Sequence, residues 1–212
     1  MTLVKICGLT RANDVAASVE AGADAVGCVL WPESPRGVSL DQARAILSAA
    51  PARVTRVGVF VEAGADDVAA AVTAAGLAVA QLHGRERADA YAGLDVHLWK
   101  ACVLDTDEDV AAALALPEDV TILVDAADAR RLGGTGRLAD WERAAVVSAR
   151  RPTILAGGLT PENVAEAIQS VKPWGVDVSS GVEEAPGRKS HEAIRRFVAA
   201  VRAVSGGGHG GA

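Results

Sequence analysis

The 212-residue chain is half apolar yet only 3% aromatic, and its 21 basic and 27 acidic residues give a net charge of −6 and an isoelectric point near 5.2. That balance argues against a nucleic-acid surface, and no apolar run approaches the ~18 residues of a membrane span. Cys7, Cys28 and Cys102 are odd in number, scattered and without Cys-x-x-Cys spacing, which argues against a disulfide framework and against a metal centre.

The N-terminus enters an apolar strand with no charged leader or cleavage signal, so a cytoplasmic protein with reduced thiols is expected. A core built mainly from Ala, Val and Leu favours helices packed on strands. Short branched or apolar runs suited to buried strands recur at about 2–7, 24–30, 54–61, 78–83, 95–103, 120–125, 152–156 and 174–179. Between them, helical periodicity marks about 11–21, 39–50, 65–75, 86–92, 107–115, 140–149, 161–171 and 189–204. Eight βα units at a spacing of roughly 25 residues predict an α/β fold, an eight-stranded parallel (β/α)8 TIM barrel; an open doubly wound sheet would more often use five or six strands. The barrel is expected to occupy 1–204 as a single domain, followed by a flexible Gly-rich tail at 205–212. Ser39-Leu40-Asp41-Gln42 reads as a capping box, and Thr160-Pro161 as an N-cap ahead of a proline at the first helical position.

In such a barrel the chemistry collects at the strand C-termini and the loops after them. In strand 1 a period of two puts Leu3, Lys5 and Cys7 on one face and Val4 and Ile6 on the other. An inward lysine and cysteine suit a reactive site; Cys7 also suits an ordinary buried thiol, and Lys5 a side chain that snorkels to solvent. After strand 2, Ser34-Pro35-Arg36-Gly37 offers Arg36 to a planar carboxylate, or simply to the surface. Strand 4 ends Gln81-Leu82-His83-Gly84, where His83 fits either acid–base chemistry or a structural hydrogen bond. Strand 6 ends in Asp125, which shares a face with Leu123; a carboxyl in the barrel mouth is desolvated and favours its protonated form, whereas the alternatives are a helix cap or an ion pair. Three glycine-bearing segments follow in consecutive loops: Gly133-Gly134-Thr135-Gly136, Ala156-Gly157-Gly158-Leu159, and Ser179-Ser180-Gly181 after Asp177. Backbone N–H groups there can approach an anion closely, which points to a phosphate-bearing ligand over ordinary tight turns.

In chain order these segments resemble the phosphoribosylanthranilate isomerase family of tryptophan biosynthesis. The resemblance rests on Val4-Lys5-Ile6-Cys7-Gly8-Leu9-Thr10, Ser34-Pro35-Arg36, Gly58-Val59-Phe60-Val61, Gln81-Leu82-His83-Gly84, Leu123-Val124-Asp125, Gly133-Gly134-Thr135-Gly136 with Asp140-Trp141, Leu155-Ala156-Gly157-Gly158-Leu159, and the strand-8 run Gly175 to Glu183 followed by Pro186-Gly187. It implies an Amadori rearrangement of N-(5-phosphoribosyl)anthranilate to 1-(2-carboxyphenylamino)-1-deoxyribulose 5-phosphate, with neither cofactor nor metal. It also implies a small phosphorylated substrate as the partner, no nucleic acid or membrane, and a monomer or homodimer.

By the same resemblance Asp125 is the general acid and Cys7 the general base, with Lys5 favouring the thiolate and Asp177 pairing with Lys5 across the barrel. Gly157, Gly158, Ser180 and Gly181 take the phosphate with help from Gly134, Thr135 and Gly136, and Arg36 takes the anthranilate carboxylate; His83 is a supporting residue. The chain departs from the family at Leu132 and Ala139, where tyrosine and phenylalanine are usual, and at Ser190, where aspartate is usual. Rival expectations are the histidine-pathway aminoaldose isomerase or a dual-specificity form, indole-glycerol-phosphate synthase, for which Lys100 is a weak catalytic candidate, and a non-catalytic phosphosugar-binding barrel. Cys7 in place of an aspartate at the end of strand 1, and retention of both Cys7 and Asp125, favour the first reading.

Overall fold

The structure is a computed structural model that describes residues 1–126 and 139–206. Each short apolar run forms a strand because its two faces meet two different apolar environments. In β1 (Leu3–Ile6), Val4 and Ile6 are buried in the layer beneath the helices, whereas Leu3 packs inside the barrel with Ala25, Val57, Val79 and Trp99. The same division holds for β2 (Ala25–Val29), β3 (Thr55–Phe60), β4 (Val79–Leu82), β5 (His97–Val103), β6 (Thr121–Asp125) and β7 (Thr153–Leu155), whereas β8 (Gly175–Val178) buries Val176 and Val178 in the outer layer and adds no apolar side chain to the inner one. These strands pair in parallel in chain order and close through β8 and β1. Parallel neighbours need crossovers, supplied by α1 (Ala12–Ala21), α2 (Leu40–Leu47), α3 (Ala65–Ala75), α4 (Asp107–Leu114), α5 (Trp141–Ser148) and α6 (Val164–Val171), and α7 (His191–Gly206) follows the last strand. Among the described residues no helix is long and apolar enough to cross a membrane.

The structure departs from the sequence periodicity in three places. The helix expected over 86–92 is a single 3₁₀ turn, Ala88–Tyr91. Its approach is pinned by the Glu86 carboxylate, which accepts the backbone N–H groups of Glu62 (2.6 Å) and Gly84 (2.7 Å), while the Tyr91 hydroxyl donates to the Ala63 carbonyl. After β8 the chain makes another 3₁₀ turn, Ser180–Val182, and then an antiparallel hairpin of β9 (Glu183–Ala185) and β10 (Arg188–Lys189), strands too short for periodicity to reveal. Pro186 and Gly187, the latter at φ 76°, supply the turn chemistry of this hairpin. The Thr160-Pro161 start forms as expected: Thr160 Oγ1 accepts the Glu162 N–H at 3.2 Å and the Thr160 N–H donates to Asn163 Oδ1 at 2.8 Å, with α6 proper following Asn163. Helix α7 continues to Gly206, two residues into the expected tail, while 207–212 lie outside the described residues. The Ser39–Gln42 capping box forms as expected, and Ser190 accepts the N–H of Ala193, so this hydroxyl opens the last helix where the family's aspartate would stand.

Candidate active site

Strand β1 delivers its inward face to the mouth. Lys5 and Cys7 both lie against Gly27 of β2, where an added Cβ would stand 3.0 Å from Lys5 Cε and 3.3 Å from Cys7 Sγ. Glycine therefore gives both side chains their room. Lys5 is fully buried and its Nζ donates to Asp177 Oδ2 at 2.7 Å. The two residues are register partners on β1 and β8, so Asp177 is Lys5's neighbour along the closing seam and not a partner across the barrel. Asp177 Oδ1 is buried with no hydrogen-bond partner among the described residues.

Burial opposes the Lys5 charge, but Asp177 and the Cys7 sulfur outweigh it and hold the ammonium above its ordinary pKa. Burial pushes the Cys7 thiol up; Lys5 pulls it down and Asp177 adds to the rise, so the net direction is upward. Lys5 thus favours the thiolate as expected, but desolvation of a 6%-exposed residue outweighs this single neighbouring cation that the sequence made visible.

Asp125 ends β6 with both oxygens engaged. Oδ1 accepts the Ala126 N–H at 2.7 Å, and Oδ2 lies 3.2 Å from His83 Nε2. The other ring nitrogen, Nδ1, lies 3.0 Å from the Gln81 amide nitrogen, which can only donate, so Nδ1 is the acceptor and the hydrogen of a neutral ring sits on Nε2. Gln81 was not singled out from the sequence, although it shares the inward face of β4 with His83. Lys100, by contrast, turns out of the barrel, where its Nζ donates to the Gly84 carbonyl at 2.7 Å.

Arg36 is 8% exposed, and its guanidinium is forked onto Glu183 by Nε at 2.8 Å and Nη2 at 2.6 Å. Nη1 has no hydrogen-bond partner among the described residues. Its stem crosses Gly8, where φ is +70° and a Cβ would stand 2.5 Å from Arg36 Cδ. Glu183 also accepts from Lys189 Nζ at 2.8 Å. Burial raises the Glu183 pKa, but Arg36 and Lys189 overcome this and hold it below the usual carboxylate range. Neither Glu183 nor Lys189 was identified as a site residue from the sequence, because the hairpin that carries them has no periodic signature.

The glycine loops stack on one another. Gly157 and Gly158 have φ of +79° and +68°, and the Gly158 carbonyl accepts from Asn163 Nδ2 at 2.9 Å. A Cβ on Gly181 would stand 1.9 Å from the Leu159 carbonyl oxygen, so the loops after β7 and β8 meet backbone to backbone. Cys7, Arg36, His83, Asp125, Gly157 and Ser180 border one cleft of about 740 Å³, its open side included, together with Gly158 and Asp177. Gly181 stands behind that lining as the contact between loops. Leu132, Gly134, Thr135 and Gly136 lie outside the described residues, whereas Ala139 is buried ahead of Asp140, which caps α5 by accepting the Arg143 N–H at 3.0 Å.

The cleft thus joins a buried thiol, a carboxyl–imidazole pair, an arginine and a glycine-lined rim at the C-terminal end of a closed barrel. Residues 4–200 match the family model described as N-(5'phosphoribosyl)anthranilate (PRA) isomerase. The chain belongs to this family. It is 46% identical over 203 residues to the N-(5'-phosphoribosyl)anthranilate isomerase of Acidithiobacillus ferrooxidans, an alignment that covers 95% of this chain and 98% of that one. The crystal structure of phosphoribosyl anthranilate isomerase from Thermotoga maritima superposes with a TM-score of 0.87 at 38% identity, over 97% of this chain and all of the other. A phosphoribosyl anthranilate isomerase in complex with reduced 1-(o-carboxyphenylamino)-1-deoxyribulose 5-phosphate superposes with a TM-score of 0.85, also at 38% identity, over 96% of this chain and 100% of that one.

Proposed function

We propose that this chain is a phosphoribosylanthranilate isomerase, which converts N-(5'-phosphoribosyl)anthranilate to 1-(2-carboxyphenylamino)-1-deoxyribulose 5-phosphate in tryptophan biosynthesis, without a cofactor. The observation that carries the reading is the placement of Cys7, just after β1, and Asp125, at the end of β6, on one cleft whose rim also holds Arg36 and the Gly157–Gly158 loop. Asp125 protonates the furanose oxygen while the anthranilate nitrogen opens the ring to an iminium. His83, whose Nε2 lies 3.2 Å from the same carboxyl, helps to hold the acid in place. Cys7 then removes the C2 proton, giving an enolamine that tautomerises to the ketone. The backbone of the Gly157–Gly158 and Ser180–Gly181 loops, with Gly134, Thr135 and Gly136, takes the phosphate. Arg36 offers Nη1 and Nη2 to the anthranilate carboxylate, its other edge being held by Glu183.

The cytoplasm is the proposed compartment, since three free thiols suit a reducing environment. The test is direct. Purified protein is expected to consume the fluorescence of phosphoribosylanthranilate, and Cys7→Ala and Asp125→Ala are each expected to lower kcat by about two orders of magnitude or more with the fold intact, the range of a lost general acid or base. Near wild-type turnover by Cys7→Ala would remove Cys7 from the role of base. Binding of a product analogue by a wild-type protein that never turns over would leave a phosphosugar-binding barrel.

A further inference from the structure

The reaction as derived leaves Lys189 without a role, although its side chain is fully buried beside the cleft. Burying an ammonium is costly unless its hydrogens are satisfied, and here all three have oxygen partners. Nζ reaches Glu183 Oε1 at 2.8 Å, the Ser179 carbonyl at 3.0 Å and the Ser179 hydroxyl at 3.5 Å. Glu183 and Ser179 lead to different ends of the cleft. Through Glu183 the lysine backs the bidentate pair that fixes Arg36. Through the Ser179 carbonyl it sets the plane of the Ser179–Ser180 peptide. In a trans peptide the N–H points opposite the C=O, so a carbonyl drawn down to Lys189 turns the Ser180 N–H the other way, and both serines border the cleft. The cluster of Arg36, Glu183 and Lys189 carries one more positive than negative charge, which suits a ligand that is anionic at both ends.

We infer that Lys189 is a positioning residue that couples the two ends of the ligand site, bracing the arginine that takes a carboxylate and orienting a backbone donor for a phosphate. The inference rests on the reading under Proposed function. Hairpin β9–β10 is then the element that brings this lysine beneath the mouth, and Thr10 Oγ1 ties the hairpin's turn to the loop after Cys7 by donating to the Gly187 carbonyl at 2.5 Å.

The test uses the full chain with two single-ended probes, inorganic phosphate and anthranilate, whose dissociation constants are read by NMR titration alongside isomerase kinetics. Lys189→Met keeps most of the stem and removes the ammonium. It is expected to weaken both probes and raise KM by about tenfold, the equivalent of one charge-assisted hydrogen bond, with kcat within about threefold. Glu183→Gln keeps the lysine's contacts with Ser179, so it is expected to weaken anthranilate while phosphate stays within about twofold, and it decides the matter if Lys189→Met does not fold. Unchanged probe affinities in a folded Lys189→Met, or weakening of only one probe, would overturn the coupling. A fall in kcat with KM unchanged would place Lys189 in the chemistry instead. Because the titrations do not need turnover, a wild type that fails to isomerise its substrate counts against the proposed reaction and leaves the Lys189 result readable.

Discussion

Lys5 Nζ and Asp177 Oδ2 lie 2.7 Å apart on register partners of β1 and β8, the two strands whose pairing closes the barrel. The pair is buried on both sides, so truncating one partner leaves the other charge stranded. Lys5→Met is expected to cost about 3–5 kcal/mol in urea denaturation, and Lys5→Met with Asp177→Leu is expected to recover most of it. Turnover at neutral pH should stay low in both, since each lacks the cation that draws the Cys7 thiol downward. Recovery of turnover in the double variant would show that Lys5 serves the seam alone.

Cys7 gives a pH dependence with a definite sign. Burial holds the thiol above its ordinary pKa despite Lys5, so the thiolate fraction in the free enzyme keeps growing as pH rises past that value. The acid limb of kcat/KM, which reports the free enzyme, is therefore expected to be still climbing above about pH 8.5, the reference value of a cysteine. A plateau already reached at pH 7 would mean that the thiol is ionised by something other than Lys5.

Gly181 tests the contact between the two anion-binding loops. An alanine Cβ there would overlap the Leu159 carbonyl oxygen at 1.9 Å, and backbone on both sides must move to relieve it. Gly181→Ala is expected to destabilise by about 1–3 kcal/mol and to raise KM for the phosphorylated substrate. Gly93→Ala is the control: nothing stands within 4 Å of its added Cβ, and thermal melts should place it within about 0.5 kcal/mol of wild type.

The barrel and the strand-end residues were legible because each is written in a local pattern. Period-two alternation gave the inward face of Lys5 and Cys7, and the spacing of apolar runs gave eight strands. What escaped depends on contacts distant in sequence. Asp177 is named as the partner of Lys5 by the resemblance, but its place beside Lys5 on the seam and not across the barrel follows only when β8 closes onto β1, a separation of 172 residues. Arg36 reads as a free arm until Glu183, 147 residues later, is seen to hold one of its edges. The direction of the Cys7 shift likewise depends on burial, which no motif states, and Gln81 gains a role only once His83 is seen turned toward Asp125. The 3₁₀ turn at Ala88–Tyr91 shows the same limit in the fold, since the Glu86 carboxylate captures the Glu62 N–H from 24 residues away.

Cys28 predicts how the fold responds to alkali. Its side chain is fully buried, its thiol donates to the Leu9 carbonyl at 3.2 Å, and burial pushes its pKa from 9.0 up to about 12. The folded state therefore holds this proton more tightly than the unfolded chain does. The resulting contribution to stability is complete below about pH 9 and is lost as pH rises toward 12. Cys28→Ala pays a cavity penalty at every pH but has no proton to lose, so its deficit relative to wild type should be constant below pH 8.5 and then shrink by up to about 1.4 kcal/mol per pH unit. Urea denaturation of both proteins from pH 7 to 10.5 measures that difference directly. A deficit that stays constant across the range would show that the buried thiol ionises without opposition from its surroundings.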